Sequence, residues 1–254
     1  MKKNTLKEKF ENEGYIVIKK FYDSKDCDNF LNSIRKYANE DFAPIMNPDR
    51  PEFLIPQITD IINKKKYLGD KANLIKAIEK DCKYFRSIMI DKKIKKTLEK
   101  IKKNKVHALM SQMIFKEKKT KYSKQSWLPH QDNSYSKNKN GEYITINIFM
   151  KNSNIRNGTL YIYEKSHKFG ILKFEKKISY REKDNKPGNT VLNLPYKKKD
   201  LNFRKGDLLV LHGNLIHGSY PNKSNHSRPL YSVSYITKGE KFIPGLNAQR
   251  KILD

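Results

Sequence analysis

Cysteine is nearly absent. Only Cys27 and Cys82 occur in the 254 residues, far apart and without CxxC spacing. They exclude a disulfide framework and a zinc ribbon, and a reduced, cytoplasmic compartment is the expectation. Long apolar runs are missing too. No window approaches the ~18 residues that a membrane-spanning helix needs, and the opening MKKNTLKEKFENEG lacks the apolar stretch of a signal peptide. Arginine is scarce, 8 residues against 46 lysines, although the formal net charge is +27.

Nucleic-acid readers use arginine for two-point contacts to phosphate and guanine, and no basic–aromatic motif occurs. A nucleic-acid-binding protein without catalysis therefore stays only as the alternative from a different class, which a salt-dependent affinity for DNA or RNA would favour. The lysines are scattered through "NKKKY", "DKKIKKTLEKIKKNK", "EKKTKYSK" and "YKKKD". A compositional bias toward Lys, Asn and Ile explains that scatter, and so does a preference for an anionic substrate or surface.

What is present suffices for a core: 37% hydrophobic and 11% aromatic residues, which argues for a folded chain. Without a repeat or linker, one domain over 1–254 is expected, as a monomer or weak homo-oligomer. "GYIVIKKFY" (14–22) predicts a strand able to join a sheet edge. A helix over 23–40 follows, with Ser24 as its cap and Phe30, Leu31 and Ile34 at helical spacing. Residues 41–69, with four prolines, predict a loop and one short helix near 57–66, and 71–101 predicts two more helices. From about 106 the texture changes. "VHALMSQMIFKEK", "EYITINIFMK", "GTLYIYEKSH", "DLLVLHGNLIHGS" and "RPLYSVSYITKG" are short strand-like runs between Gly, Asn and Pro turns. They predict an antiparallel sandwich or barrel with helices packed beside it.

One stretch of that half carries chemistry. In "WLPHQDNSY", His130 and Asp132 stand at i and i+2, so on a strand or its terminal turn they point to one side. An imidazole and a carboxylate make two metal ligands, and a facial triad needs one more histidine. His217 ends the apolar run "GDLLVLHGNLIHGS", with Gly218 allowing close backbone approach. Two histidines and one carboxylate leave coordination positions open, as a redox Fe(II) centre requires. Eleven residues on, Arg228 offers a planar fork suited to a carboxylate, and Ser219 offers a hydroxyl on the same side as His217. A turn of that length is expected to return Arg228 beside the strand of His217. His167 and His212 read as supporting or structural, and Trp127, Tyr135 and region 41–90 as possible substrate-side elements.

These residues resemble the phytanoyl-CoA dioxygenase (PhyH-like) family of Fe(II)/2-oxoglutarate dioxygenases. "FENEGYIVIKKFYDSKDCDNFL", "SQMIFKEK" with "LPHQDNSY", "ITINIFMKNSNIRNGTLYIYEKSHKFG" and "RKGDLLVLHGNLIHGSYPNKSNHSRP" are similar to successive family segments over most of 10–237. The resemblance implies a mainly β fold with flanking helices, built on a double-stranded β-helix (jelly-roll, cupin-like) core. It implies iron on His130, Asp132 and His217, with O2 and 2-oxoglutarate as cosubstrates and the far carboxylate of 2-oxoglutarate on Arg228 and Ser219. Gln112, Thr145 and Asn147 match positions that line the cosubstrate or substrate pocket. Family members that halogenate carry a small residue in place of the carboxylate, so Asp132 favours hydroxylation of a small-molecule or acyl substrate, with an anionic one compatible with the lysines. Desaturation, cyclisation or epimerisation on the same iron stays open. Glu164-Lys165 replaces the family's Pro-Gly before Ser-His, and Thr159 replaces the Pro of its "NGPL" turn.

Overall fold

Alternation of side chains organises the strand-rich half. The computed structural model describes residues 5–38, 52–55, 88–114, 116, 118, 126–175, 190–191 and 193–242. In chain order the elements are α1 (Leu6–Glu13), β1 (Tyr15–Ile18), α2 (Ser24–Ala38), β2 (Glu52–Ile55), α3 (Lys92–Lys102), β3 (Val106–Ile114) and β4 (Trp127–His130). They continue with α4 (Asn133–Ser136), β5 (Tyr143–Phe149), β6 (Leu160–Tyr163), β7 (Lys198–Asp200), β8 (Leu208–His212), β9 (His217–Ser219) and β10 (Leu230–Thr237). A major sheet has the order β1-β8-β5-β10-β3-β2 and a minor sheet the order β4-β9-β6-β7. All pairings are antiparallel. The expected jelly-roll architecture is present, and β1 joins the major sheet at its edge.

Each face of the major sheet has its own partner. Ile144, Ile146 and Ile148 of β5 and Tyr231, Val233 and Tyr235 of β10 pack with Phe10, Phe30, Leu31, Ile94 and Leu98 of the helices. Residues between them point the other way. Phe149, Leu209, Leu211 and Leu230 meet Leu160 and Ile162 of the minor sheet, while Thr145, Asn147, Ser232 and Ser234 occupy the remaining inward positions. Thr145 lies opposite Ser234, and Asn147 opposite Ser232. The space between the sheets is thus apolar at one side and hydroxyl-rich at the other.

The helices form for local reasons. In α3, Ile94, Leu98 and Ile101 recur at helical spacing and are buried, while the Asp91 carboxylate accepts from the Lys93 and Ile94 amides. Helix α2 starts at Ser24, but its cap is Asp23, whose carboxylate accepts from Asp26 N at 2.7 Å. The expected Ser24 cap is therefore displaced by one residue, because the carboxylate reaches the first-turn amide from the position before it. The sequence reading places no helix before residue 14, yet α1 is there. Thr5 and Glu8 form a reciprocal capping box, and only Phe10 is buried from it, so its apolar period is faint. Residues 52–55, expected as loop, are the edge strand β2, paired along Phe53–Met113 and Leu54–Gln112. An edge position tolerates the flanking prolines. The short helix expected near 57–66 and the first of the two in 71–101 lie outside the described residues. Among the described residues no helix is long and apolar enough to cross a membrane.

Helix α1 is fastened by two histidines outside the proposed ligand set. His167 bonds to Glu11 O through Nε2 at 2.9 Å, and its ring lies 5.2 Å from that of His212. Gly14, at φ 76, has no Cβ, and a Cβ there would stand 2.4 Å from His167 Nδ1. Burial, with His167 and Lys102 adding, pushes His212 down to about 3, and burial also lowers His167. Neutral in the folded state, this pair contributes stability that is present above the unfolded histidine value of about 6.5 and is lost as pH falls below it. Between pH 7 and pH 5, urea-unfolding midpoints should fall by the equivalent of about 2 kcal/mol from His212 alone. His212→Gln should flatten that dependence.

Candidate functional site

The two segments that carry the HxD pair and the third histidine are hydrogen-bonded neighbours. Strand β4 pairs with β9, and in their register His130 stands opposite His217, with ring centroids 4.5 Å apart. Each ring is tied by Nδ1 to the carbonyl two residues earlier: His130 to Leu128 O at 2.7 Å, His217 to Leu215 O at 3.0 Å. A carbonyl only accepts, so each Nδ1 carries the hydrogen and each Nε2 presents a lone pair. Those Nε2 atoms lie 3.6 and 3.7 Å from Asp132 Oδ1. Asp132 comes just after β4, at the entry to α4, and its other oxygen accepts from Thr145 Oγ1 at 2.6 Å.

Three ligand atoms within 4.8 Å of one another could hold a metal ion. Burial acts to raise Asp132, but His217, His130 and the Thr145 hydroxyl outweigh it and hold the carboxyl well below the usual range. Burial lowers His217 against the pull of Asp132. Asp132 is thus held as a carboxylate and His217 as a neutral imidazole, the protonation states that ligands need. The Asp132 side chain is 22% exposed, against 7% and 9% for the histidines. Access is from the carboxylate side. Two nitrogens and one oxygen on one side of an ion suit a 2-His-1-carboxylate iron centre better than a closed zinc site.

A second cluster lies farther along β9. Ser219 accepts from Lys116 Nζ at 2.8 Å, and Lys116 also donates to Tyr220 O. Arg228 is buried, donates from Nε to Gly158 O at 3.0 Å, and leaves one terminal guanidinium nitrogen without a partner. The backbone of Arg228 does not return beside β9, but its guanidinium reaches Gly158 O, whose residue abuts Tyr220 just after β9. The residue precedes β10, in the opposite sheet, because 220–229 crosses between sheets. Asn222 anchors that crossover by donating to Lys116 O and His226 O.

The pocket residues divide. Thr145 meets Asp132 directly, and Asn147 is buried two residues along the same face. The Gln112 backbone sits opposite Ser232 in β3, and its side chain lies outside the described residues. Trp127 is buried with Lys116 Nζ 4.7 Å from its ring. His167 and His212 stay with α1, outside the ligand set. Lys165 adopts φ 60 where the resemblance expects glycine, and Thr159, in place of proline, donates to Leu201 O.

Two features escaped the sequence reading. Lys116 is hidden among 46 lysines. Gln131, between the two ligands of HQD, is fully buried. Its Nε2 donates to Gly170 O at 2.8 Å and Asn214 O at 2.5 Å, and its Oε1 accepts from Leu172 N at 2.8 Å. Gly218, noted for close approach, is tighter than expected. A Cβ there would lie 2.4 Å from the Tyr161 hydroxyl and 2.5 Å from Trp127 O. Gly218→Ala should lower stability by about 1–3 kcal/mol through overpacking, read as a reduced denaturant midpoint, and should weaken metal binding by displacing His217.

Residues 10–230 match the family model for phytanoyl-CoA dioxygenase (PhyH). The chain belongs to the PhyH family. A phytanoyl-CoA dioxygenase of Arabidopsis thaliana is 30% identical over 112 residues, 43% of this chain and 38% of that protein. The chain thus matches well under half the length of this plant relative. Phytanoyl-CoA dioxygenase domain-containing protein 1 of Mus musculus is 21% identical over 271 aligned positions, 93% of this chain and 91% of that protein. Among solved structures, the epimerase SnoN in complex with Fe3+, alpha ketoglutarate and nogalamycin RO superposes with a TM-score of 0.68 at 14% identity, covering 94% of this chain and 85% of that one. EctD from S. alaskensis, with 2-oxoglutarate and 5-hydroxyectoine, gives 0.62 at 13% identity, covering 92% and 76%. At such identities the likeness is one of fold. A PhyH-family protein is an oxygenase that uses Fe(II), 2-oxoglutarate and O2, and the donor set described above fits that iron.

Proposed function

We propose that this PhyH-family protein hydroxylates an aliphatic carbon of a small-molecule or acyl substrate, releasing succinate and CO2. His130, Asp132 and His217 would hold Fe(II), and Arg228 with Ser219 would receive the far carboxylate of 2-oxoglutarate. Bound together, iron and 2-oxoglutarate supply the activation of O2. The chain supplies the rest. The Nδ1 bonds to Leu128 and Leu215 aim both imidazoles, and Thr145 fixes the carboxylate. Asp132 fills the position that a halide would need, which supports hydroxylation over halogenation.

The observation that carries this reading is the pairing of two sites: three converging ligand atoms and a buried guanidinium with a free nitrogen. Anaerobic titration with Fe(II) and then 2-oxoglutarate tests it. The weak visible charge-transfer band of the chelate should appear and should be missing in His130→Ala. A wild-type protein that binds iron but gives no band and no succinate with any of a metabolite panel would sink the reading. The same panel, scored by succinate release, identifies the substrate.

A further inference from the structure

We propose that Asn214 is a positioning residue for the metal, clasping the carboxylate ligand Asp132 to the turn that delivers His217. The inference rests on the iron site proposed above. The β4–β9 ladder places the two histidines, for His130 and His217 are paired in its register. It does not place Asp132, which lies beyond His130, the last residue of β4. What fixes that part of the chain is the residue on either side of it. Gln131 and Asn133 have no exposed surface, and both are bonded to Asn214.

The clasp is made of hydrogen bonds from both flanks of the ligand. Gln131 Nε2 donates to Asn214 O at 2.5 Å, Asn133 Nδ2 donates to Asn214 Oδ1 at 2.7 Å, and Asn133 N donates to Gly213 O at 2.9 Å. The Asn133 amide has one possible orientation, because its Nδ2 also donates to Asn138 O while its Oδ1 accepts from Asn138 N. Asn214 must therefore turn its oxygen, not its nitrogen, toward Asn133. Gly213 lets the two segments close, since a Cβ there would stand 3.0 Å from Asn133 Cβ and 2.7 Å from Tyr143 O.

The same turn delivers the third ligand. Asn214 N donates to His212 Nδ1 at 3.0 Å and Leu215 N donates to His212 O at 2.8 Å, which closes the turn between β8 and β9. Leu215 O then holds His217 Nδ1. Asn214 thus joins the neighbours of Asp132 to the approach of His217, and the 3.7 Å between Asp132 Oδ1 and His217 Nε2 is spanned across this turn. Thr145 fixes the rotation of the carboxylate, and Asn214 fixes where the backbone beneath it stands.

Co(II) alone, an iron surrogate with visible ligand-field bands, reads the clasp by calorimetric titration and absorption. In Asn214→Leu, which removes the acceptor oxygen, the Co(II) dissociation constant should rise on the order of 10-fold. Its ligand-field bands should move toward those of Asp132→Ala. Asn214→Asp keeps an acceptor oxygen and should bind Co(II) within about threefold of wild type. In the Asp132→Ala background, Asn214→Leu should change Co(II) affinity by less than about threefold, since its effect runs through the carboxylate. A residue that only supports the fold would lower the urea midpoint and lose the same affinity in both backgrounds. That result would overturn the inference. So would Co(II) bound by Asn214→Leu as tightly as by wild type, or a loss in Asn214→Asp equal to that in Asn214→Leu. Asn214→Ala removes the same oxygen and serves if the leucine variant does not fold. If wild type takes up no Co(II), the iron site itself fails, and the two failures are thereby told apart.

Discussion

Asp132→Ala is expected to abolish turnover and to weaken Fe(II) binding by more than about 100-fold. Losing a hydrogen-bond partner of a ligand typically costs 10- to 100-fold in metal affinity, and Asp132 is proposed as a ligand itself. Its removal takes away the one negative charge between two imidazoles and leaves Thr145 Oγ1 without the oxygen to which it donates at 2.6 Å. Fe(II) titration by calorimetry under anaerobic conditions reads the affinity, and succinate release reads the turnover. The fold should survive, because the Asp132 side chain is 22% exposed and both histidine rings stay tied by Nδ1. Iron affinity within a few-fold of wild type would remove Asp132 from the ligand set.

Arg228→Met is expected to act in opposite directions on binding and on stability. Truncating one member of a buried, hydrogen-bonded charge pair costs 2–5 kcal/mol or more, so 2-oxoglutarate affinity should fall on the order of 10²–10³-fold. The cosubstrate-free protein should nevertheless unfold at higher temperature. Among the described residues, Arg228 is then a buried cation that donates to the carbonyls of Gly158 and Lys116 and to no carboxylate, and methionine fills similar volume without the desolvation penalty. Calorimetric titration and thermal melts with and without 2-oxoglutarate separate the two effects. A variant that melts lower and still binds 2-oxoglutarate would make Arg228 a packing residue.

Much of the fold was legible because it rests on period. The strands of the C-terminal half announce themselves by alternation, and the HxD pair needs only two residues of one strand end to converge. His217 was legible for the same reason, at the end of an apolar run. What stayed hidden depends on neighbours remote in sequence. Lys116 differs from other lysines only in being buried, and its surroundings come from Gly158, Ser219, Tyr220 and Arg228. Helix α1 buries one phenylalanine, too little to give an apolar stripe, although its Thr5–Glu8 box could have been found. Strand β2 is four residues bracketed by prolines, and only the waiting edge of β3 makes it a strand. The backbone of Arg228 was expected beside β9 but precedes β10, since loop length alone does not say whether a chain turns back or crosses over.

Gln131 separates what must stay from what can vary. Its amide holds the segment 170–172 by Gly170 O and Leu172 N, backbone groups that any sequence would supply. The side chains that this segment shows to solvent, Phe169 at 62% and Ile171 at 39% exposure, take no part in the clamp. The segment is thus fastened to the ligand pair through its backbone and left free in its side chains. New side chains at 169 and 171 can be accepted while the geometry of His130 and Asp132 is inherited unchanged.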